Sequence, residues 1–188
     1  MATKVKSAAP LSFIAILVGA LVPILFAIAI FTDGYWEFNF NTLSDLGISY
    51  NETAAGIFNW TCICAGALIA IYGIGKMLLK SGYDAANGLI LAVGGIFLLS
   101  IGIVTENYSE HYIFAYCYFV TMAIAILVGA AGDVKNGRNI TVAITAMVIV
   151  IVLAAAIGFN IAGLEVVSVV AMCVWIIAQG FSLSFSKA

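Results

Sequence analysis

Six polar side chains stand out in an otherwise strongly apolar chain, because their types could support binding or chemistry. They comprise the only histidine, three carboxylates, one amide and one hydroxyl. The set is Ser44, Asp45, Asn59, Glu106, His111 and Glu165. Polar and ionisable groups at membrane depth are costly, and they mark candidate functional sites. If the chain crosses a membrane, we expect these side chains to converge on one polar pocket in its outer leaflet.

A histidine among carboxylates offers two kinds of chemistry. His111, Glu106 and Asp45 could ligate a divalent metal ion, or His111 could act as a general acid or base. The sequence has no His-x-x-x-His, Gly-x-Ser-x-Gly or Asp-x-x-Asp motif and no glycine-rich phosphate loop. It therefore specifies neither a metal nor another cofactor, and it assigns no catalytic residue. The segment around Ser44, Asp45 and Gly47 is most simply a tight turn whose side chains bond local amides.

The elements that must position these residues follow from composition. The chain has 188 residues, 64% of them apolar, a mean hydropathy of +1.18, and only seven basic and nine acidic residues. Soluble domains carry about 25% charged residues, so this chain belongs in a membrane, with no separate soluble catalytic domain and no nucleic-acid-binding face. Its four cysteines lie in apolar stretches and are interpreted as packing residues.

The apolar runs predict an all-α membrane protein with a single domain of six transmembrane helices spanning residues 1–188. Each run is close to the roughly 20 residues that cross a bilayer. The helices are predicted near 11–31, 54–79, 87–104, 112–131, 140–159 and 166–183. The first run follows Lys4 and Lys6 and resembles a signal peptide, but its length favours a retained helix.

The charges predict the orientation of the six helices. All seven basic residues fall on one side when the helices are counted, so the positive-inside rule places both termini in the cytoplasm of a cell whose plasma membrane holds the protein. Seven acidic residues then lie outside, and Asp84 and Asp133 lie inside. The inner Lys and Arg residues are interpreted as anchors for anionic head groups.

Small and polar residues at helical spacing predict which helix faces pack together, because small residues let membrane helices approach closely. On the second helix the stripe contains Asn59, which should therefore point into the bundle. The stripes of the second and third helices are Gly56, Asn59, Cys62, Gly66, Ala70 and Gly73, and Gly88, Ala92, Gly95, Leu99 and Gly102. The third stripe reaches Glu106 if its helix continues.

The longest connection, residues 32–53, lies outside and is rich in aromatic residues. We expect it to lie on the bundle or in the membrane interface rather than to extend into water. Asn51 and Asn107 begin Asn-x-Ser/Thr tripeptides and are candidate glycosylation sites. Alternatively, Asn51 or Thr53 caps the second helix.

Several motifs, in order along the chain, resemble the integral-membrane family named domain of unknown function 998. They are Asn41-x-Leu43-Ser44-Asp45-Leu46-Gly47, Phe58-Asn59, His111 after an acidic residue, and Glu165 with Trp175 downstream. The resemblance implies that Ser44, Asp45, Asn59, His111 and Glu165 are the family's polar positions. Ile103-Val104-Thr105 departs from the family's approach to Glu106, so the resemblance does not extend to that residue. No reaction is established for the family.

Two functions compete on these observations. The converging polar residues favour an outward-facing pocket that binds or modifies a lipid or isoprenoid head group. The short loops and glycine-rich faces favour a non-enzymatic accessory or scaffold subunit, with partner membrane subunits or further copies of the chain. Transport ranks last, because no helix is predicted to carry an ionisable residue near the membrane midplane.

Overall fold

The computed structural model describes residues 9–185, and it contains six helices long and apolar enough to cross a membrane. The six-helix prediction is confirmed. The helices are α1 Ala9–Asp33, α2 Glu52–Leu79, α3 Gly82–Ile103, α4 Glu110–Lys135, α5 Asn139–Gly158 and α6 Ile161–Phe185, with a short 3-10 helix at Ser44–Ile48 between α1 and α2. Lys4, Lys6 and Lys187, which contribute to the predicted orientation, lie outside the described residues.

Three helices extend by about one turn or more beyond one of their predicted ends. α3 begins at Gly82 rather than near 87, α4 continues to Lys135 rather than 131, and α6 begins at Ile161 rather than 166. The polar residues in two of these extra turns, Asp84 and Asp133, are buried and hydrogen-bonded within the protein. Polarity therefore did not end the helices, because the bundle itself satisfies those side chains.

The helices are arranged as a ring in which each packs on the next in the chain and α6 packs on α1. Large side chains fill the interior, including the fully buried Trp175, Tyr72 and Leu91. The loop end of the ring that carries residues 34–51 is called here the outer end. The opposite end, where α2 meets α3 and α4 meets α5, is called the inner end.

The closest helix pair is α2 with α3, along the small-residue stripes predicted from the sequence. The prediction is wrong for Gly56, which meets no neighbouring helix. A Cβ atom added to Gly66 would lie 2.6 Å from the Gly95 carbonyl oxygen, and one added to Gly73 would lie 2.5 Å from the Gly88 carbonyl oxygen. The two backbones are thus in direct contact, which only glycine permits at these positions. This seam carries Asn59 at its outer end and Lys76 at its inner end.

The outer connection lies on the bundle, as expected. Leu43, Ser44, Leu46 and Gly47 are buried, and the 3-10 helix packs on α2. The Trp36 indole Nε1 donates to the Thr42 carbonyl oxygen at 2.7 Å, which fixes the approach to the 3-10 helix. This packing places Ser44 inside the outer end of the ring.

Candidate functional site

The centre of the outer site is a hydrogen bond between Ser44 and His111. The Ser44 Oγ and His111 Nε2 atoms are 2.9 Å apart, and the His111 Nδ1 atom lies 2.6 Å from the Val104 carbonyl oxygen. Ser44 is 8% exposed and His111 is 1% exposed. A buried imidazole is therefore held between a hydroxyl from the outer loop and a backbone carbonyl just after α3.

The turn that carries Ser44 is stabilised by its own neighbours. The Asp45 Oδ2 atom accepts from the Thr42 amide at 2.8 Å, and the Thr42 Oγ1 atom accepts from the Asp45 amide at 3.1 Å. This reciprocal pair has the pattern of a capping box, which satisfies amides that the start of a helix leaves free. Asp45 therefore bonds local amides, as the tight-turn interpretation expected.

Two other predicted residues hold the same turn against the bundle. The Glu165 Oε2 atom, at the start of α6, accepts from the Leu43 amide at 3.2 Å. The Asn59 Nδ2 atom, on α2, donates to the Gly47 carbonyl oxygen at 3.0 Å. Ser44 thus lies in a segment bonded to α2 and α6, while its own hydroxyl meets α4.

Glu106 lies elsewhere than expected, because α3 ends at Ile103 and does not continue to it. The residue falls in the loop between α3 and α4, where its Oε1 atom accepts from the Tyr112 hydroxyl at 2.8 Å. Tyr112 follows His111, and their rings are 5.9 Å apart. Glu106 therefore lies beside the histidine through Tyr112 rather than at the end of the α3 stripe.

Two acceptor atoms of the outer site are buried without a hydrogen-bond partner among residues 9–185. They are the Asn59 Oδ1 atom and the Glu106 Oε2 atom. An unpaired buried polar group costs about 1–3 kcal/mol. Both atoms can accept a hydrogen bond, so the outer site is suited to a group that donates them.

The structure does not assemble the predicted metal set of His111, Glu106 and Asp45. Within the described part of the chain, no three His, Cys, Asp or Glu side chains form a group that could hold a metal ion. Both ring nitrogens of His111 already have protein partners, and Asp45 is engaged with the Thr42 amide. Of the six predicted residues, Ser44 and His111 are the pair joined by a hydrogen bond between their side chains.

The inner end of the ring contains a buried polar network that the sequence analysis missed. Lys76 is 2% exposed, and its Nζ atom donates to the Asn87 Oδ1 atom at 2.6 Å and to the Gln179 Oε1 atom at 2.9 Å. The Gln179 Nε2 atom donates in turn to the Asp133 Oδ2 atom at 2.9 Å. Side chains of α2, α3, α4 and α6 are therefore joined across the interior.

Arg138 closes this network from the loop between α4 and α5. Its guanidinium forms two hydrogen bonds with Asp84, at 2.6 and 2.9 Å, and a third with Asp133 at 2.6 Å. Burial disfavours the charged guanidinium, but the two carboxylates outweigh that effect and raise the pKa of Arg138 above its ordinary value. The four charged groups of the network, two positive and two negative, balance.

The interpretation of the inner basic residues as head-group anchors is wrong for Lys76 and Arg138, since both are bonded inside the protein. A signal for Lys76 was present, because it continues the α2 stripe three residues after Gly73. Residues three or four apart lie on the same helix face, so Lys76 lies on the face of α2 that packs on α3. Lysines near the ends of membrane helices often extend to the head groups instead, which is the interpretation that the sequence analysis adopted.

A small cavity separates the two polar ends of the ring. It has a volume of about 40 Å³, and its wall is almost entirely apolar, with side chains from α1, α2, α3, α4 and α6 that include Phe26, Cys62, Tyr118, Met122 and Cys173. All four cysteines are free. An apolar layer therefore lies between the outer site and the inner network.

Asn51 has the role that the alternative interpretation gave it. Its side-chain oxygen accepts from the amides of Thr53 and Ala54, so it caps α2, and its Nδ2 atom donates to the Thr32 carbonyl oxygen at 2.7 Å. Asn107 is exposed in the loop between α3 and α4.

The chain matches the model of a known protein family. The family model described as a protein of unknown function, DUF998, matches residues 13–182, which is most of the chain and includes every residue of the outer site and of the inner network. No curated protein and no solved structure matches the chain.

Proposed function

The chain belongs to the family of unknown function DUF998, and we propose from the geometry of the outer site that the protein binds the polar head group of a membrane lipid or isoprenoid there. The binding residues are Ser44, Asn59, Glu106 and His111, and Asp45 and Glu165 position the turn that carries Ser44.

The observation that carries this proposal is the pair of buried, unpartnered acceptors, Asn59 Oδ1 and Glu106 Oε2. Buried polar groups in native proteins nearly always have partners, so an exception calls for an explanation. A head group with hydroxyl or ammonium donors would supply the missing hydrogen bonds. A membrane lipid is the expected ligand class, because the site lies at the end of a ring of membrane-spanning helices and is therefore close to lipid head groups.

The charge at the outer end supports a donor-rich head group. Seven acidic residues lie in the helix ends and loops of that end, and the basic residues within 9–185 all lie toward the inner end. The acidic set is Asp33, Glu37, Asp45, Glu52, Glu106, Glu110 and Glu165. A negative potential of this kind attracts cationic groups and disfavours exposed phosphate. We therefore expect preference for a head group that carries an amine or several hydroxyls.

Native mass spectrometry of the full-length protein, purified in mild detergent, tests the proposal. We expect a lipid to remain bound to the wild type, and its occupancy to fall at least several-fold in Glu106→Gln. Glu110→Gln is the matched control, because Glu110 is an exposed acid at the same end of the ring whose side chain is bonded to Ser109. A wild-type protein without lipid, or equal occupancy in both variants, would overturn the proposal. A stoichiometric partner chain in place of lipid would select the accessory-subunit alternative.

We further propose that both termini lie in the cytoplasm and that the membrane is the plasma membrane. The segregation of the described basic residues toward the inner end supports this orientation. Single cysteines at Tyr50 and Lys135, in a background without native cysteines, provide the test. A membrane-impermeant thiol reagent applied to intact cells should label position 50 and leave position 135 unlabelled until the cells are opened. The reverse pattern would contradict the orientation, and fractionation of the same cells reports the membrane.

A further inference from the structure

We propose that Ser44 and His111 form a nucleophile and general-base pair that transfers the acyl group of a carboxylic ester in a membrane lipid. This inference rests on the proposed function in one respect, since a lipid must reach the outer site. It adds a reaction to a site for which binding alone has been argued.

The hydrogen bonds of His111 define its tautomer. A carbonyl oxygen can only accept, so the Nδ1 atom, 2.6 Å from the Val104 oxygen, must carry a proton. In the neutral imidazole the Nε2 atom is then an acceptor, and the Ser44 hydroxyl, 2.9 Å away, is its donor. The serine proton therefore already points at the atom that would remove it, which is the arrangement of an activated nucleophile.

The third element of such a site is a group that orients the base, and here it is the Val104 carbonyl. It lies directly after α3, whereas His111 lies in the first turn of α4, so the short loop between these helices fixes the imidazole. The base is thus held on one side by backbone and is free to exchange a proton with Ser44 on the other.

The serine is as firmly placed as the base. Its turn is bonded to α6 through Glu165 and Leu43, to α2 through Asn59 and Gly47, and internally through the reciprocal Thr42 and Asp45 bonds. Catalytic geometry has to be held within fractions of an ångström by surrounding contacts. The bonds from α6 and α2 hold the backbone on both sides of Ser44, at Leu43 and at Gly47.

The location of the pair selects the substrate class. Ser44 lies at the outer end of the ring, beside a connection that exposes apolar and aromatic side chains such as Phe40 and Tyr50. A serine nucleophile attacks carbonyl carbon, and the carboxylic esters of this region of a bilayer lie at the junction of lipid head group and acyl chain. The substrate is therefore a lipid ester that reaches the pair from the membrane.

The reaction balances without a cofactor. The Ser44 oxygen bonds to the acyl carbon as its proton passes to His111 Nε2, and the bond from that carbon to the alcohol oxygen breaks as the alcohol takes the proton from His111. Water then attacks the acyl-serine, giving its proton to His111, and Ser44 recovers a proton as the carboxylic acid leaves. The sum is ester plus water to acid plus alcohol, and an acceptor alcohol in place of water gives transesterification.

A serine-reactive fluorophosphonate probe tests the pair in the full-length protein in detergent. We expect a covalent adduct located by peptide mass spectrometry at Ser44, absent in Ser44→Ala and reduced about 100-fold or more in rate in His111→Ala, the range expected for loss of a general base. Ser109→Ala is the control serine, because Ser109 is exposed at the same end of the ring. Hydrolysis of a short-chain ester in mixed micelles should fall by a similar factor in Ser44→Ala.

Thermal unfolding separates loss of chemistry from loss of fold. Ser44→Ala removes one hydroxyl and leaves the buried His111 Nε2 atom without its donor. Its unfolding temperature should therefore fall by roughly 2–12 °C, and the variant should remain folded at the assay temperature. A folded wild type that retains lipid, yet neither labels at Ser44 nor hydrolyses the ester, would overturn the acyl-transfer inference and leave the binding proposal intact. Labelling that persists in folded His111→Ala at the wild-type rate would overturn the role of His111 as base.

Discussion

Replacing Gly66 with alanine should force α2 and α3 apart at the middle of their seam. The added Cβ atom would lie 2.6 Å from the Gly95 carbonyl oxygen and would also meet the Leu99 backbone. These neighbours are backbone atoms of a helix, so no side-chain rotation relieves the overlap. Relief requires the two helices to shift together, which disturbs every contact along the seam.

Gly56→Ala, on the same helix, measures the effect of alanine without the overlap. A Cβ atom at Gly56 would have no atom within 4 Å. Alanine stabilises a helix over glycine by about 0.5–1 kcal/mol, and both variants gain this term. The difference between them therefore reports the overlap alone, for which packed interiors give about 1–3 kcal/mol.

Thermal unfolding of both variants in one detergent and at one scan rate provides the assay. For a chain of this length, 1 kcal/mol corresponds to about 2–4 °C, so Gly66→Ala should unfold roughly 2–12 °C below Gly56→Ala. Gly56→Ala should itself unfold at or above the wild-type temperature. Equal unfolding temperatures for the two variants would refute the backbone contact between α2 and α3.

Three further predictions concern the two ends of the ring. Arg138→Gln leaves two carboxylates without their cation and should lower the free energy of unfolding by about 3 kcal/mol. This is the lower end of the range for a broken buried pair, because Arg138 is partly exposed. Thermal unfolding measures the loss against Lys135→Gln, which should differ little from the wild type. Asn51→Ala removes the cap of α2 and should cost at least about 1 kcal/mol, whereas Asn51→Ser, which keeps a capping oxygen but loses the donor to the Thr32 carbonyl oxygen, should cost less than Asn51→Ala in the same assay. In a glycosylating host, Asn107 should carry the glycan and Asn51 should not, since the Asn51 amide is bonded to the Thr32 carbonyl. The change in electrophoretic mobility on endoglycosidase treatment, compared between Asn51→Gln and Asn107→Gln, tests this.

The number of helices and the α2–α3 seam were predictable because each rests on a local pattern. A run of apolar residues near the bilayer thickness specifies a span, and glycines at helical spacing specify a close face. The exact ends of the helices were harder to predict from the sequence. Asp84 and Asp133 look like loop residues in the sequence, and only their burial beside Arg138 explains why the helices include them.

The pairing within the outer site was not accessible from the sequence. Ser44, His111 and Glu165 could be singled out by type and by their common side of the membrane, but Ser44 and His111 are 67 residues apart in the chain. Which of the six polar residues touches which depends on the rotation of α4 and α6 and on the 3-10 helix. Glu106 shows the limit, because α3 ends at Ile103 and does not continue the further turn that would include Glu106.

The inner network shows a different limit. A lysine one turn from a helix end can extend to the head groups or turn inward, and both choices are compatible with the positive-inside rule. Lys76 turns inward because Asn87 and Gln179 offer it two oxygen atoms. The partners come from two other helices, so the choice is made only when the bundle has assembled.

The arrangement of the ring has a consequence for biosynthesis. α6 emerges from the ribosome after the other five helices, yet it supplies Gln179 to Lys76 and Asp133, and Glu165 to the amide beside Ser44. Until it inserts, Lys76 and Asp133 each lack one of their hydrogen-bond partners, and the Ser44 turn lacks its α6 anchor. Completion of the inner network and completion of the outer site are therefore coupled to the same event, the insertion of α6.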